Sequence, residues 1–119
     1  ANARAQISGE LSASNRIIVS PSSLSLSANQ QRTVSVGCYN DDATNARPGT
    51  IATIPAIGGA TVSKSGDPGN VPSNDKAFWA IVVKANSDVG PGTDPDVITL
   101  RINCNGGAVE ARPLSITYK

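Results

Sequence analysis

Two cysteines, Cys38 and Cys104, have the most sharply defined chemistry open to them in this chain. A cysteine pair can form a disulfide, ligate a metal as thiolates or supply a nucleophile. The last two roles need company that the composition denies. Among 119 residues there is no histidine. The usual catalytic triads and the commonest zinc ligand are therefore missing. The Ser-rich stretches contain no Gly-x-Ser-x-Gly turn. Carboxylates remain. Asp41 and Asp42 are adjacent, so on a strand they point to opposite faces and pair only if looped. Asp88, Asp94 and Asp96 fall in one run rich in Gly and Pro, Asn86 to Asp96. Oxygen-rich loops between strands can hold calcium, which makes these three the candidate metal ligands and calcium the one candidate cofactor. Their spacing matches no EF-hand, and ordinary turn chemistry accounts for the same residues. Trp79 invites a sugar-stacking reading. Carbohydrate-binding faces show several aromatics and this chain has four in all, so core packing is preferred. Asn105, Gly106 and Gly107 form a hairpin signal and are the candidate loop residues for recognising a partner.

The elements that would position these residues read as strands. Ile17, Ile18 and Val19 form a short run that Pro21 interrupts, and Leu24, Leu26 and Ala28 then alternate with serines. A strand broken by proline and resumed on the other side suits an edge that switches sheets. From Arg32 to Tyr39 the alternation is clear, with Val34, Val36 and Cys38 on one face. A polar loop through Asp41, Asp42, Asn45 and Pro48 follows, then short runs over Thr50 to Ile54 and Ala60 to Ser63. Ser65 to Asn74 reads as a loop rich in Gly, Pro, Asp and Asn. Ala77 to Ala85 is nearly continuously apolar, and its β-branched and aromatic content favours a strand covered on both faces. Ile98, Leu100, Ile102 and Cys104 share a face of the next run. The last strand carries Leu114, Ile116 and Tyr118, with Pro113 marking an edge. The expected fold is all-β: a sandwich of seven or eight short antiparallel strands over residues 16–119, preceded by a loose N-terminal extension, 1–15, from which Ile7 and Leu11 can dock.

Parity then decides the cysteines. Cys38 lies on the apolar face of its strand and Cys104 on that of another, so both point into the core. On facing sheets they are placed to bond across the sandwich, closing a long loop and stabilising the fold by roughly 4 kcal/mol in the chain-entropy model. Such a bond implies an oxidising compartment; the alternative is a pair of buried free thiols in a cytosolic protein.

The segment Ile18-Val19-Ser20-Pro21-Ser22-Ser23-Leu24-Ser25-Leu26, followed by Gln31-Arg32-Thr33-Val34-Ser35-Val36, resembles the opening of bacterial immunoglobulin-like (Big/invasin-type) surface domains. Pro113-Leu114-Ser115-Ile116-Thr117-Tyr118 resembles their closing strand. The likeness covers about half the chain and implies an immunoglobulin-like sandwich. Two departures stand out. No Trp lies about a dozen residues after Cys38, and position 102 is Ile, so the tyrosine corner two residues before the second cysteine is missing.

Composition narrows the partners. Ten Lys plus Arg against nine Asp plus Glu, spread along the chain, make no basic stripe for nucleic acid. No apolar run approaches the roughly 18 residues that span a bilayer. The chain contains no Met, and its opening Ala-Asn-Ala-Arg-Ala fits either a cleaved signal peptide or a boundary inside a longer protein. The expected function is a non-catalytic extracellular module, secreted or at the cell surface (extracellular or periplasmic), serving as spacer, adhesion element or protein-binding domain for a protein or surface glycan. One alternative is a self-associating fibre or pilus subunit whose segment Ala1 to Leu11 adds as a strand to a neighbour. Another is a small secreted inhibitor or carbohydrate-binding protein working through its loops. A secreted hydrolase is the enzymatic rival, and the missing histidine argues against it.

Overall fold

The computed structural model describes residues 7–12, 14–52, 57–106 and 109–119. Nine strands are present among them: β1 (Ile17–Ser20), β2 (Ser23–Leu26), β3 (Gln31–Tyr39), β4 (Arg47–Ile51), β5 (Ala60–Lys64), β6 (Gly69–Val71), β7 (Lys76–Ala85), β8 (Asp96–Asn103) and β9 (Glu110–Tyr118). They form two sheets, one in the order β1-β3-β7-β5 and the other β2-β9-β8-β4-β6. One hydrophobic cluster lies between them, built from the inward residues of both. Val34, Val36 and Cys38 on β3 and Ile98, Leu100 and Ile102 on β8 are all buried, so the parity read from the sequence holds on both strands.

Pro21 marks a change of sheet. β1 pairs with β3 in the first sheet, and β2, separated from it only by Pro21 and Ser22, pairs with β9 in the second. That second pairing is parallel, which corrects the expectation of a purely antiparallel fold. The reason is directional. The chain crosses between sheets at Pro21 without turning back, so β2 keeps the heading of β1, and β9 has the same heading. Pro113 faces Thr99 of β8, whereas β2 reaches β9 only from Ser115 onward. The proline therefore sits where β9 is paired on one side only, as its missing N–H requires. Pro48 obeys the same rule: β4 pairs with β6 through Gly49 and with β8 only from Thr50.

The ninth strand is β6, inside the segment read as a loop. It has three residues and buries only Val71, so no side-chain alternation announced it. The β7 expectation also changes. Its inward residues, Ala77, Trp79, Ile81, Val83 and Ala85, are buried, but the outward Phe78, Ala80 and Val82 are only half-buried. Small or partly screened apolar side chains on one face of an ordinary strand give the same near-continuous run as two-sided burial.

The directions of the strands fix where the chain enters and leaves. Ile17 lies opposite Cys38, while Tyr118 lies beside Leu26 at the other end, near Asp96. These points lie at opposite ends of the strand ladders in a molecule measuring 50 × 26 × 20 Å.

Candidate functional site

The cysteines are joined. Cys38 on β3 and Cys104, one residue past β8, form a disulfide with a Cα–Cα distance of 6.2 Å that spans 66 residues. Both are essentially inaccessible, at 1 % and 0 % exposure. Trp79 is buried beside this region on β7, opposite Val36 in the register and two residues from Ala77, which faces Cys38. The indole is a core residue here, supplied by β7.

The disulfide end is closed by polar side chains that sequence reasoning passed over. Asn40 is fully buried. Its amide donates to the carbonyls of Val71 at 2.9 Å and of Asn45 and Pro72 at 3.2 Å, while its Oδ1 accepts the Asp42 N–H at 3.0 Å. Asp42 in turn accepts the N–H groups of Thr44 and Asn45 and a forked contact from Arg47, Nε at 3.0 Å and Nη2 at 2.8 Å. The Thr44 N–H, then Arg47 and the Asn45 N–H, hold its carboxyl well below the usual range. Asp41 pairs with Arg16 at 3.6 Å, so the neighbouring acids do different work and form no acid–base pair. The loop candidates lie on this end too. Gly106 takes φ +74° and packs against Arg47, whose Cδ would lie 2.7 Å from an added Cβ. The Asn105 N–H bonds Asn103 Oδ1 at 3.1 Å. Gly107 falls outside the described residues. β8 and β9 pair antiparallel on either side of this turn, as a hairpin must.

The flank between β4 and β5 is a cleft of about 500 Å³ lined by Thr50, Ile51, Ala52, Val62, Ser63, Lys64 and Asp67. β6 stops short of Ile51, leaving that residue's outer backbone groups without a strand. Two side chains substitute for one. Asp67 Oδ1 accepts the Ile51 N–H at 3.2 Å, and Lys64 Nζ donates to the Ile51 carbonyl at 2.9 Å. The same Asp67 oxygen accepts from Lys64 Nζ at 3.1 Å and from Trp79 Nε1 at 3.2 Å. Desolvation pushes the Asp67 pKa up, but the hydrogen bonds from Lys64, Trp79 and Ile51 outweigh it and the net shift is downward.

At the far end, Tyr118 is 7 % exposed and its hydroxyl donates to Asp96 Oδ2 at 2.6 Å. That oxygen also accepts the Gly59 N–H at 3.1 Å, tying the approach to β5 in one sheet to β8 and β9 in the other. Gly59 is required here, since a Cβ would run into the Tyr118 ring. Desolvation, and then the bond to Asp96, raise the Tyr118 hydroxyl far above the ordinary value for tyrosine.

No protein-family model matches the chain, and no curated protein matches it. Among solved structures the chain is similar to domains 4 and 5 of the S-layer protein SbsC, with a TM-score of 0.52 and 17 % identity. The match covers 86 % of this chain and 50 % of that one, so the chain spans about half the length of its structural neighbour. At this identity the likeness is one of fold.

Of the calcium candidates, only Asp96 has a structural task, holding Tyr118 and Gly59. The described residues contain no group of three or more Asp, Glu, Cys or His side chains arranged to hold a metal ion. Asp96 yields a test instead. Tyr118→Phe removes a part-buried bond to a charged acceptor and should cost about 1.5 kcal/mol at neutral pH. Because the folded-state pKa is raised, this stability is fully present below the unfolded tyrosine value and lost as pH rises above roughly 10. Denaturant titrations of wild type and Tyr118→Phe across that range should converge; a constant gap would show that the hydroxyl proton is not what Asp96 holds.

Proposed function

We propose that this chain is a non-catalytic, immunoglobulin-like module of an extracellular surface protein, serving as a spacer that carries tension along its long axis. One observation carries this reading: the chain enters at the disulfide end and leaves at the opposite end, 50 Å being the long dimension. Pulling on the two ends therefore draws β1 lengthwise against β3, and β9 lengthwise against β2 and β8. All bonds of a ladder then share the load, whereas peeling a strand from one end breaks them one at a time. The disulfide and the fold likeness to domains of an S-layer protein support an extracellular setting. That the match covers half of a two-domain structure suits one unit of a string.

Single-molecule stretching tests the reading. Pulled between the first residue of β1 and Lys119, the domain should resist several-fold more force than when it is pulled between Lys119 and Ser87, in the loop at the same end as Lys119, which peels β9. Equal forces for the two geometries would remove the mechanical reading.

A further inference from the structure

The outer face of the first sheet carries a second apolar contact that the main core does not include. Residues 7–10 form one helical turn, and the Leu11 N–H donates to the Ile7 carbonyl at 3.0 Å. Ile7 and Leu11, four apart, thus stack on one side of the turn. They are 1 % and 5 % exposed, yet neither belongs to the cluster between the sheets. They sit over Gly37 and beside Phe78, on the face opposite Val36 and Trp79. The glycine makes the seat: a Cβ there would collide with Ile7 Cγ2 and lie 2.8 Å from Leu11 Cδ1. Lys76 Nζ completes it by donating to the Ser8 carbonyl at 2.5 Å. Between the turn and Arg16, Ser12 and Asn15 form an isolated bridge outside either sheet and Asn15 Nδ2 donates to the Glu10 carbonyl at 3.4 Å; Arg16 is the residue tied to the sheets, through the Tyr39 N–H and ion pairs with Asp41 and Glu110.

We propose that Gly37, Phe78 and Lys76 form an acceptor for the Ile7-to-Leu11 turn, and that the turn of one copy can occupy the acceptor of a second copy. The contacts across this seam are separable from the main core, so releasing the turn leaves the two sheets intact. A turn docked in trans makes the same contacts as one docked in cis. The two differ only in the effective concentration that the tether supplies, of order millimolar for a short linker. The cis seat therefore wins in dilute solution, and the trans seat fills when chains are crowded or the cis seat is blocked. This linkage is distinct from strand donation, because the docked piece is helical, lies on a sheet face and exchanges no ladder hydrogen bond. It is independent of the spacer reading.

Two full-length variants test it. Ile7→Asp with Leu11→Asp keeps the acceptor and spoils the turn; Gly37→Leu keeps the turn and fills the acceptor. Each alone should sediment as a monomer with the disulfide formed and Trp79 emission unchanged. Mixed in equal amounts near about 1 mM, they should give a one-to-one heterodimer. That dimer should vanish when the Gly37→Leu chain also carries Ile7→Asp. Two folded variants that stay monomeric together would overturn the proposal. Should Gly37→Leu not fold, wild-type chain serves as the donor to the Ile7→Asp, Leu11→Asp acceptor, and absence of any complex at about 1 mM overturns it equally.

Discussion

Replacing both cysteines, Cys38→Ala with Cys104→Ala, is expected to remove roughly 4 kcal/mol of stability in the chain-entropy model for a loop of this length. The bond spans 66 residues, more than half the chain, so its loss frees a large part of the unfolded ensemble. Marginal stability sets the scale: 4 kcal/mol is a large share of the 5–15 kcal/mol typical of a domain. At about 4 °C per kcal/mol, the melting temperature should fall by around 15 °C. Truncation to Ala removes two sulfurs from sites at 1 % and 0 % exposure and adds a small cavity term. Urea titration of the variant against oxidised wild type measures the difference. A loss below about 1 kcal/mol would mean the sheets hold without the staple.

The second large effect belongs to Asp67. Asp67→Ala takes the acceptor from Trp79 Nε1 and from the Ile51 N–H, both on residues that are 2 % exposed. Each unsatisfied buried donor costs about 1–3 kcal/mol, and water entering the flank offsets part of it, so a loss of about 3 kcal/mol is expected. Asp67→Asn keeps an acceptor oxygen and should lose roughly a third as much. Tryptophan emission should shift to the red in the Ala variant and not in the Asn variant. The pH dependence has a definite sign. The Asp67 pKa is depressed in the folded protein, so its contribution is present above the unfolded value near roughly 3.9 and is lost as pH falls through the folded one. Wild type and Asp67→Asn should therefore draw together in acid. A gap that widened in acid would contradict the assignment.

Both effects bear on how far the fold could be read from the residues. Strand faces were legible, because Val34, Val36 and Cys38, and Ile98, Leu100, Ile102 and Cys104, alternate with polar neighbours and burial enforces that period. So was the change of sheet at Pro21, since proline restricts which strands can hold it. Partners set by tertiary hydrogen bonds were not legible. Asp67 sits in a stretch of Gly, Pro and Asn that reads as a turn, and its donors lie 3, 12 and 16 residues away. Asn40 gives no sign that Val71, 31 residues on, is its acceptor. β6 escaped notice because three residues with one buried side chain have no period to detect. The Gly37 seat had a signal that was read only in part. A glycine in the middle of the best-alternating strand marks close approach of another group, and Ile7 and Leu11 were the apolar residues free to supply it.

The candidate site was less legible than the fold. Parity pointed both cysteines into the core and favoured a bond over two buried free thiols, and the bond is present. Turn chemistry is the preferred reading of Asp88, Asp94 and Asp96, with calcium the lesser one; what their spacing does not announce is that Asp96 opens β8 and accepts from Tyr118. Closeness along a loop does not set the direction of side chains.

Two sheets are pinned by Cys38–Cys104, and in the proposed spacer they are loaded from opposite ends. Stretching single molecules from both ends, with and without reductant, tests this most directly. Oxidised, the chain between the cysteines, a sequence separation of 66, cannot extend, so unfolding should release about 230 Å less chain than in the reduced form. The same released length in both conditions would contradict the account.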